Sequence, residues 1–125
     1  MTTDSTNLIM SDGTNVLTYL NPSSLKVEKK LNVADENGPL INVNELEYIR
    51  GYIYANIYTT NYIIKIDPDN GKVIGKLDLT SLKNEQKAKF PGSLEMNGIA
   101  YNSISDKIYI TGKMWPNIYE IKFSH

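Results

Sequence analysis

Apolar side chains fall on alternate positions along much of the chain. In Ile53-Tyr54-Ala55-Asn56-Ile57-Tyr58, residues Ile53, Ala55 and Ile57 share one face, and Tyr54, Asn56 and Tyr58 share the other. A strand alternates its side chains between two faces, so this run predicts a strand covered on both sides. Lys107-Ile108-Tyr109-Ile110-Thr111 and Asn61-Tyr62-Ile63-Ile64-Lys65-Ile66 have the same texture. Nine tyrosines among many isoleucines favour strands over helices. Turn residues separate the runs. Asp12-Gly13 lies between Leu8-Ile9-Met10 and Val16-Leu17-Thr18-Tyr19-Leu20, and Asn70-Gly71 precedes Lys72-Val73-Ile74. Asp-Gly and Asn-Gly tolerate positive φ, which hairpin turns demand. Arg50-Gly51 and Asn102-Ser103 punctuate two more. Residues 82–90 are polar and Lys-rich and end at Pro91-Gly92, which predicts a short helix or a long solvated connection.

Three segments align with one another. The first runs through Leu8-Ile9-Met10-Ser11-Asp12-Gly13, Val16-Leu17-Thr18-Tyr19-Leu20-Asn21-Pro22 and Leu25-Lys26-Val27. The second runs through Ile53 to Tyr58, Tyr62 to Pro68 and Gly71-Lys72-Val73, and the third through Ile108 to Lys113 and Asn117 to Ile121. Pro22 and Pro68 are 46 residues apart, and Asn44 and Asn97 are 53 apart, the excess matching an insertion at 81–92. A period of ~40–50 residues with four short strands per unit is the signature of a β-propeller blade. The spacing predicts strands near 8–11, 16–20 and 25–33, then 43–49, 53–58, 61–67 and 72–79, then 95–101, 107–112 and 117–123. These fill three blades at about 1–39, 40–80 and 93–125, an all-β partial propeller of about ten antiparallel strands. A twisted open sandwich is the alternative.

Closed propellers have roughly 4–8 blades. Three blades leave two apolar end faces and unpaired outer strands, so this chain is expected to self-associate, to pair with another chain or to be part of a longer protein. Charge narrows the partners. Thirteen basic and 14 acidic side chains leave a net charge of −1, which disfavours a dedicated nucleic-acid or anionic-membrane binder. No apolar run approaches the roughly 18–20 residues that cross a bilayer. The opening Met-Thr-Thr-Asp-Ser-Thr-Asn has neither the basic nor the apolar region of a signal peptide. The absence of cysteine excludes disulfides, thiolate metal sites and cysteine nucleophiles, and the lone histidine, His125, disfavours a histidine metal site or a Ser-His-Asp triad.

Six motifs then stand in one order and spacing: Met10-Ser11-Asp12-Gly13, Asn44-Glu45-Leu46-Glu47-Tyr48, Tyr54-Ala55-Asn56-Ile57-Tyr58, Ile66-Asp67-Pro68, Asn97-Gly98-Ile99-Ala100-Tyr101 and Thr111-Gly112-Lys113-Met114-Trp115-Pro116. Together they resemble the plant and bacterial type of glutamine cyclotransferase (glutaminyl-peptide cyclotransferase), over nearly the whole chain. The resemblance implies a five-bladed β-propeller of which these residues match the last three blades. Two further blades of the family pattern would precede Met1. They hold the glutamate thought to transfer the proton and a pocket tryptophan, and neither has a counterpart here. The strand that completes the last blade is also unmatched, so the chain looks like part of the family fold.

The reaction implied by that resemblance converts an N-terminal glutaminyl residue to pyroglutamate and releases ammonia. The attacking α-amine has a pKa of roughly 7.7–8.0, so a neutral fraction exists at pH 7. Such a site must fold the substrate, stabilise an oxyanion and carry a proton to the leaving ammonia, with no metal or cofactor. Carried over by motif, Asn44 would hydrogen-bond the substrate and Lys113 would supply a donor or positive charge at the same mouth. Tyr58 stands where the family usually has tryptophan, keeping an aromatic wall without the indole N–H. Trp115 would pack near the rim, and Glu45 is the local candidate to replace the missing glutamate. Plainer readings stay open. Asn44 and Asn97 can bond backbone between blades, Glu45 and Glu47 can be solvated or Lys-paired, Lys113 can be a surface residue, and Trp115-Pro116 can plug an edge. Tyr54, Tyr101, Tyr109 and Tyr119 read as inter-blade packing. Two function classes follow: a cyclotransferase acting on peptide or protein N-terminal glutamine, impaired unless another chain supplies the acid, or a non-catalytic partial propeller that oligomerises or docks on a partner. The family resemblance implies a secreted or periplasmic setting.

Overall fold

In the computed structural model, which describes residues 1–122, the alternating runs become three antiparallel sheets in succession. The first is ordered β1 (Thr2–Thr3), β2 (Leu8–Ser11), β3 (Val16–Leu20) and β4 (Val27–Asn32). A two-residue-per-strand hairpin follows, β5 (Ala34–Asp35) with β6 (Gly38–Pro39). The second sheet is β7 (Val43–Ile49), β8 (Tyr52–Ile57), β9 (Tyr62–Ile66) and β10 (Val73–Asp78). Helix α1 (Thr80–Lys89) leads to the third, β11 (Met96–Asn102), β12 (Lys107–Gly112) and β13 (Tyr119–Ile121).

The turn chemistry explains the connections. Ile49 pairs with Tyr52, leaving Arg50 (φ 49°) and Gly51 (φ 87°) as a two-residue loop. Positive φ at both central residues is what a type I′ turn requires. At the β9–β10 turn Gly71 has φ +77°, and a Cβ placed there would lie 1.9 Å from the Asn32 carbonyl oxygen. Its own carbonyl accepts from the Ala34 N–H at 3.1 Å, so this turn is a seam between the first and second sheets.

Two cores flank the middle sheet. Ile9, Leu17, Tyr19, Leu31 and Val33 meet Val43, Leu46, Ile53, Ala55, Ile57, Ile64 and Ile66 in the first. On the other side Ile49, Tyr54 and Ile63 meet Met96, Ile99, Ile108 and Ile110, with Tyr101, Trp115 and Tyr119 packed against them. Strand β8 is therefore buried on both faces, as its alternation predicts. The first strands of the three sheets meet at β7, which touches β1 and β11. Glu47 of β7 joins all three sheets: its Oε1 accepts from Thr2 Oγ1 at 3.0 Å, and its Oε2 accepts from the Tyr101 N–H at 3.3 Å. Blades meeting along their inner strands, with no closed barrel, make a partial β-propeller.

Each end sheet keeps one face free of the two cores. On the third sheet the register places Gly98, Ala100, Tyr109 and Thr111 on that face. On the first it places Leu8, Met10, Thr18 and Leu20 there. The sandwich alternative, two sheets facing each other over one core, is not the arrangement found.

Several expectations need correction. The first sheet has a fourth strand, β1, and the β5–β6 hairpin has no counterpart in the expected strands. The 82–90 segment is helical and begins at Thr80. It is not wholly solvated: Gln86 is buried, its Nε2 donating to Ser93 Oγ at 3.2 Å and its Oε1 accepting from the Tyr119 hydroxyl. Tyr109 lies on the free face of the third sheet rather than between blades. The last strand is three residues long; the end of the expected 117–123 strand, and His125, lie outside the described residues.

Candidate functional site

Two β-bulges build the site. In β7–β8, Val43 pairs with Ile57 and the next pair is Leu46 with Ala55, so Asn44 and Glu45 together stand opposite Asn56. In β11–β12, Met96 pairs with Gly112 and Gly98 with Thr111, which makes Asn97 the extra residue. A bulge bends its strand and re-aims the side chains it carries. Both occur at the same end of the sheets. There Ser11 Oγ donates to the Asn44 carbonyl at 2.5 Å, the Asn42 N–H donates to Gly13 O at 3.0 Å, and the Tyr58 N–H donates to Asn42 O at 2.8 Å. Across the third sheet the Lys113 N–H donates to Glu95 O at 2.8 Å.

This end collects the sequence-predicted residues. Asn44 and Asn97 are half-buried. Among the described residues neither side-chain amide makes a hydrogen bond, so no inter-blade backbone bond occupies them there. Glu45 and Asn97 border an open groove of about 690 Å³ that continues over Gly98, Ala100, Tyr109 and Ile118. Glu45 and Glu47 do not act as a carboxylate pair, because Glu47 is held by Thr2 and Tyr101. Tyr58, 46% exposed, leaves the end of β8 just before Thr59, whose φ is 66°. Lys113 is exposed beside Met114, whose φ is 62°. A left-handed backbone is unusual for side chains of these types, and two such positions adjoin the candidate residues.

Trp115 has a structural task. Its Nε1–H donates to Leu94 O at 2.9 Å, and its ring packs edge-on to Tyr119 with centroids 5.9 Å apart. A Cβ on Gly112 would lie 2.4 Å from the indole. Its polar atom is thus engaged internally, and only ring surface remains for a ligand. In the turn beneath the mouth, the Thr14 hydroxyl and N–H hold the Asp12 carboxyl below the usual carboxylate range. Sequence reasoning assigned no role to Ser11 or Asn56. Asn56 sits on an ordinary strand face in the alternation; what sets it apart, its position opposite the bulge, depends on strand register.

Asn44 and Glu45 thus share the β7 bulge, and Lys113 follows β12 where it pairs with the β11 bulge. Among the described residues no group of three or more acidic or histidine side chains is placed to hold a metal ion. The family model of glutamine cyclotransferases matches residues 1–123. The chain belongs to the glutamine cyclotransferase family. It is 35% identical over 123 residues to the glutaminyl-peptide cyclotransferase of Arabidopsis thaliana, covering 98% of this chain and 38% of that protein. It also superposes on the crystal structure of Myxococcus xanthus glutaminyl cyclase with a TM-score of 0.87 and 34% identity, over 94% of this chain and 51% of that one. The chain therefore spans about two-fifths of the curated relative and about half of the solved family structure.

Proposed function

We propose that these three sheets carry one wall of a cyclotransferase site that converts N-terminal glutamine to pyroglutamate and releases ammonia. The observation that carries this reading is the Asn44 amide, without a hydrogen bond among the described residues and re-aimed by a bulge at the end of the sheets that also bears Glu45, Tyr58 and Lys113. In this reading the substrate's own neutral α-amine attacks its γ-carboxamide carbon. Asn44 and Lys113 donate to the developing oxyanion, and a carboxyl group takes the proton shed by the attacking amine and passes it to the amide nitrogen, so that the C–N bond breaks and ammonia leaves as the oxyanion collapses to the lactam carbonyl. Tyr58 supplies an aromatic wall. Glu45, beside Asn44 in the bulge, is the candidate acid on this wall, and turnover is weak unless further polypeptide supplies the missing carboxylate. The test is ammonia release from a Gln-initiated peptide. Release that exceeds buffer and falls at least tenfold in Asn44→Ala and Lys113→Ala supports the reading; release no greater than buffer removes it for this chain.

A second reading has its own observation: the free face of the third sheet is an open, mostly apolar groove, with Ile118 71% exposed beside it. In that reading the chain is a non-catalytic partial propeller whose end faces are covered by a second copy or by a partner chain. Light scattering separates the two, because self-association without ammonia release favours the second.

A further inference from the structure

Asn56 is fully buried, and among the described residues neither its side-chain oxygen nor its NH2 has a partner. A buried amide without hydrogen bonds destabilises the folded state, and an apolar side chain of similar size avoids that cost. Strand β8 is otherwise apolar or aromatic, so packing alone gives no reason for an amide at this position. Its location gives one. Asn56 faces the bulge that carries Asn44 and Glu45, and the Asn44 amide is likewise without a hydrogen bond among the described residues. A primary amide offers one acceptor and two donors, so two of them are mutually complementary. Hydrogen bonds of this kind are often unmade in a free site and tighten only when the ligand is present.

We propose that Asn56 is a positioning residue: its buried amide, unpaired in the free protein, takes up the Asn44 side chain across the bulge and fixes it against the bound peptide. The inference rests on Asn44 being a substrate-binding residue. Side-chain amide NMR of the whole chain, titrated with a Gln-Ala-Ala peptide, tests it together with the near-isosteric Asn56→Leu variant. The expected result is that peptide shifts the NH2 resonances of both Asn44 and Asn56. Asn56→Leu then raises Tm by about 4 °C, weakens peptide binding at least tenfold and abolishes the Asn44 shift. A merely structural amide would move Tm the other way. Peptide binding that leaves the Asn56 NH2 resonance unmoved overturns the proposal but not the functional reading, and so does an Asn56→Leu variant that binds normally. A wild-type chain that binds no peptide overturns the functional reading, and this proposal falls with it.

Discussion

Substituting Gly71 by alanine tests the seam between the first two sheets. Two separable costs arise. At φ +77° an alanine takes up left-handed backbone, which costs about 1 kcal/mol. The new Cβ would also lie 1.9 Å from Asn32 O and 2.8 Å from Asn32 C, both backbone atoms that cannot rotate away. Opening that contact displaces β4 beside Leu31 and stretches the 3.1 Å bond from Ala34 N–H to Gly71 O. The lost hydrogen bond and the overpacking add about 2 kcal/mol, for a total near 3 kcal/mol. Gly13 is the control. Its φ is +86°, but nothing lies within 4 Å of a Cβ there, so Gly13→Ala bears only the backbone cost of about 1 kcal/mol. Urea unfolding followed by tyrosine fluorescence should place the Gly71→Ala midpoint well below that of Gly13→Ala, with Tm losses of about 12 °C and 4 °C. Equal losses in the two variants would refute the seam.

Two further outcomes follow from side chains in the cores. Burial, helped by the nearby Asp4 carboxylate, pushes the Tyr19 hydroxyl up to about 12, whereas an unfolded tyrosine ionises near 10. Below pH 10 both states hold the proton; between 10 and 12 the unfolded chain releases it and the folded chain does not, so stability falls by up to about 3 kcal/mol. Tyr19→Phe should remove that part of the alkaline loss while leaving stability at pH 7 little changed, because the hydroxyl has no hydrogen bond to lose; parallel denaturation curves for the two proteins from pH 9 to 12 would contradict this. Trp115→Phe removes the bond to Leu94 O and should lower stability by about 1 kcal/mol in thermal unfolding, and no loss would show that the indole does not clamp this loop.

What could be read from the amino acids was whatever local pattern controls. The alternation of β8 fixes its two buried faces, and Arg50-Gly51 fixes its turn. Strand β1 could not be read, because Thr2 and Thr3 are ordered by pairing with Ile9 and Leu8 and by the bond from Thr2 to Glu47, 45 residues away. The helix was ambiguous for a related reason: within it Leu82 is the apolar side chain packed on the core and Gln86 the buried one, too few to establish a helical period. Asn44 and Lys113 were nominated by the family motifs, not by the alternation. The bulge that distinguishes Asn44 from an ordinary strand residue depends on register with β8, and register is a property of two strands together. Glu47 read as solvated or Lys-paired, yet its partners are a threonine hydroxyl and a backbone N–H from the two neighbouring sheets.

The account turns on three sheets arranged as an open arc, with a free face at each end. Light scattering over a concentration series measures this most directly. The arc predicts a mass that climbs above the 14.1 kDa of one chain as concentration rises, and that falls back in Ile118→Asp, which charges the free face of the third sheet. A constant 14.1 kDa at every concentration would contradict it.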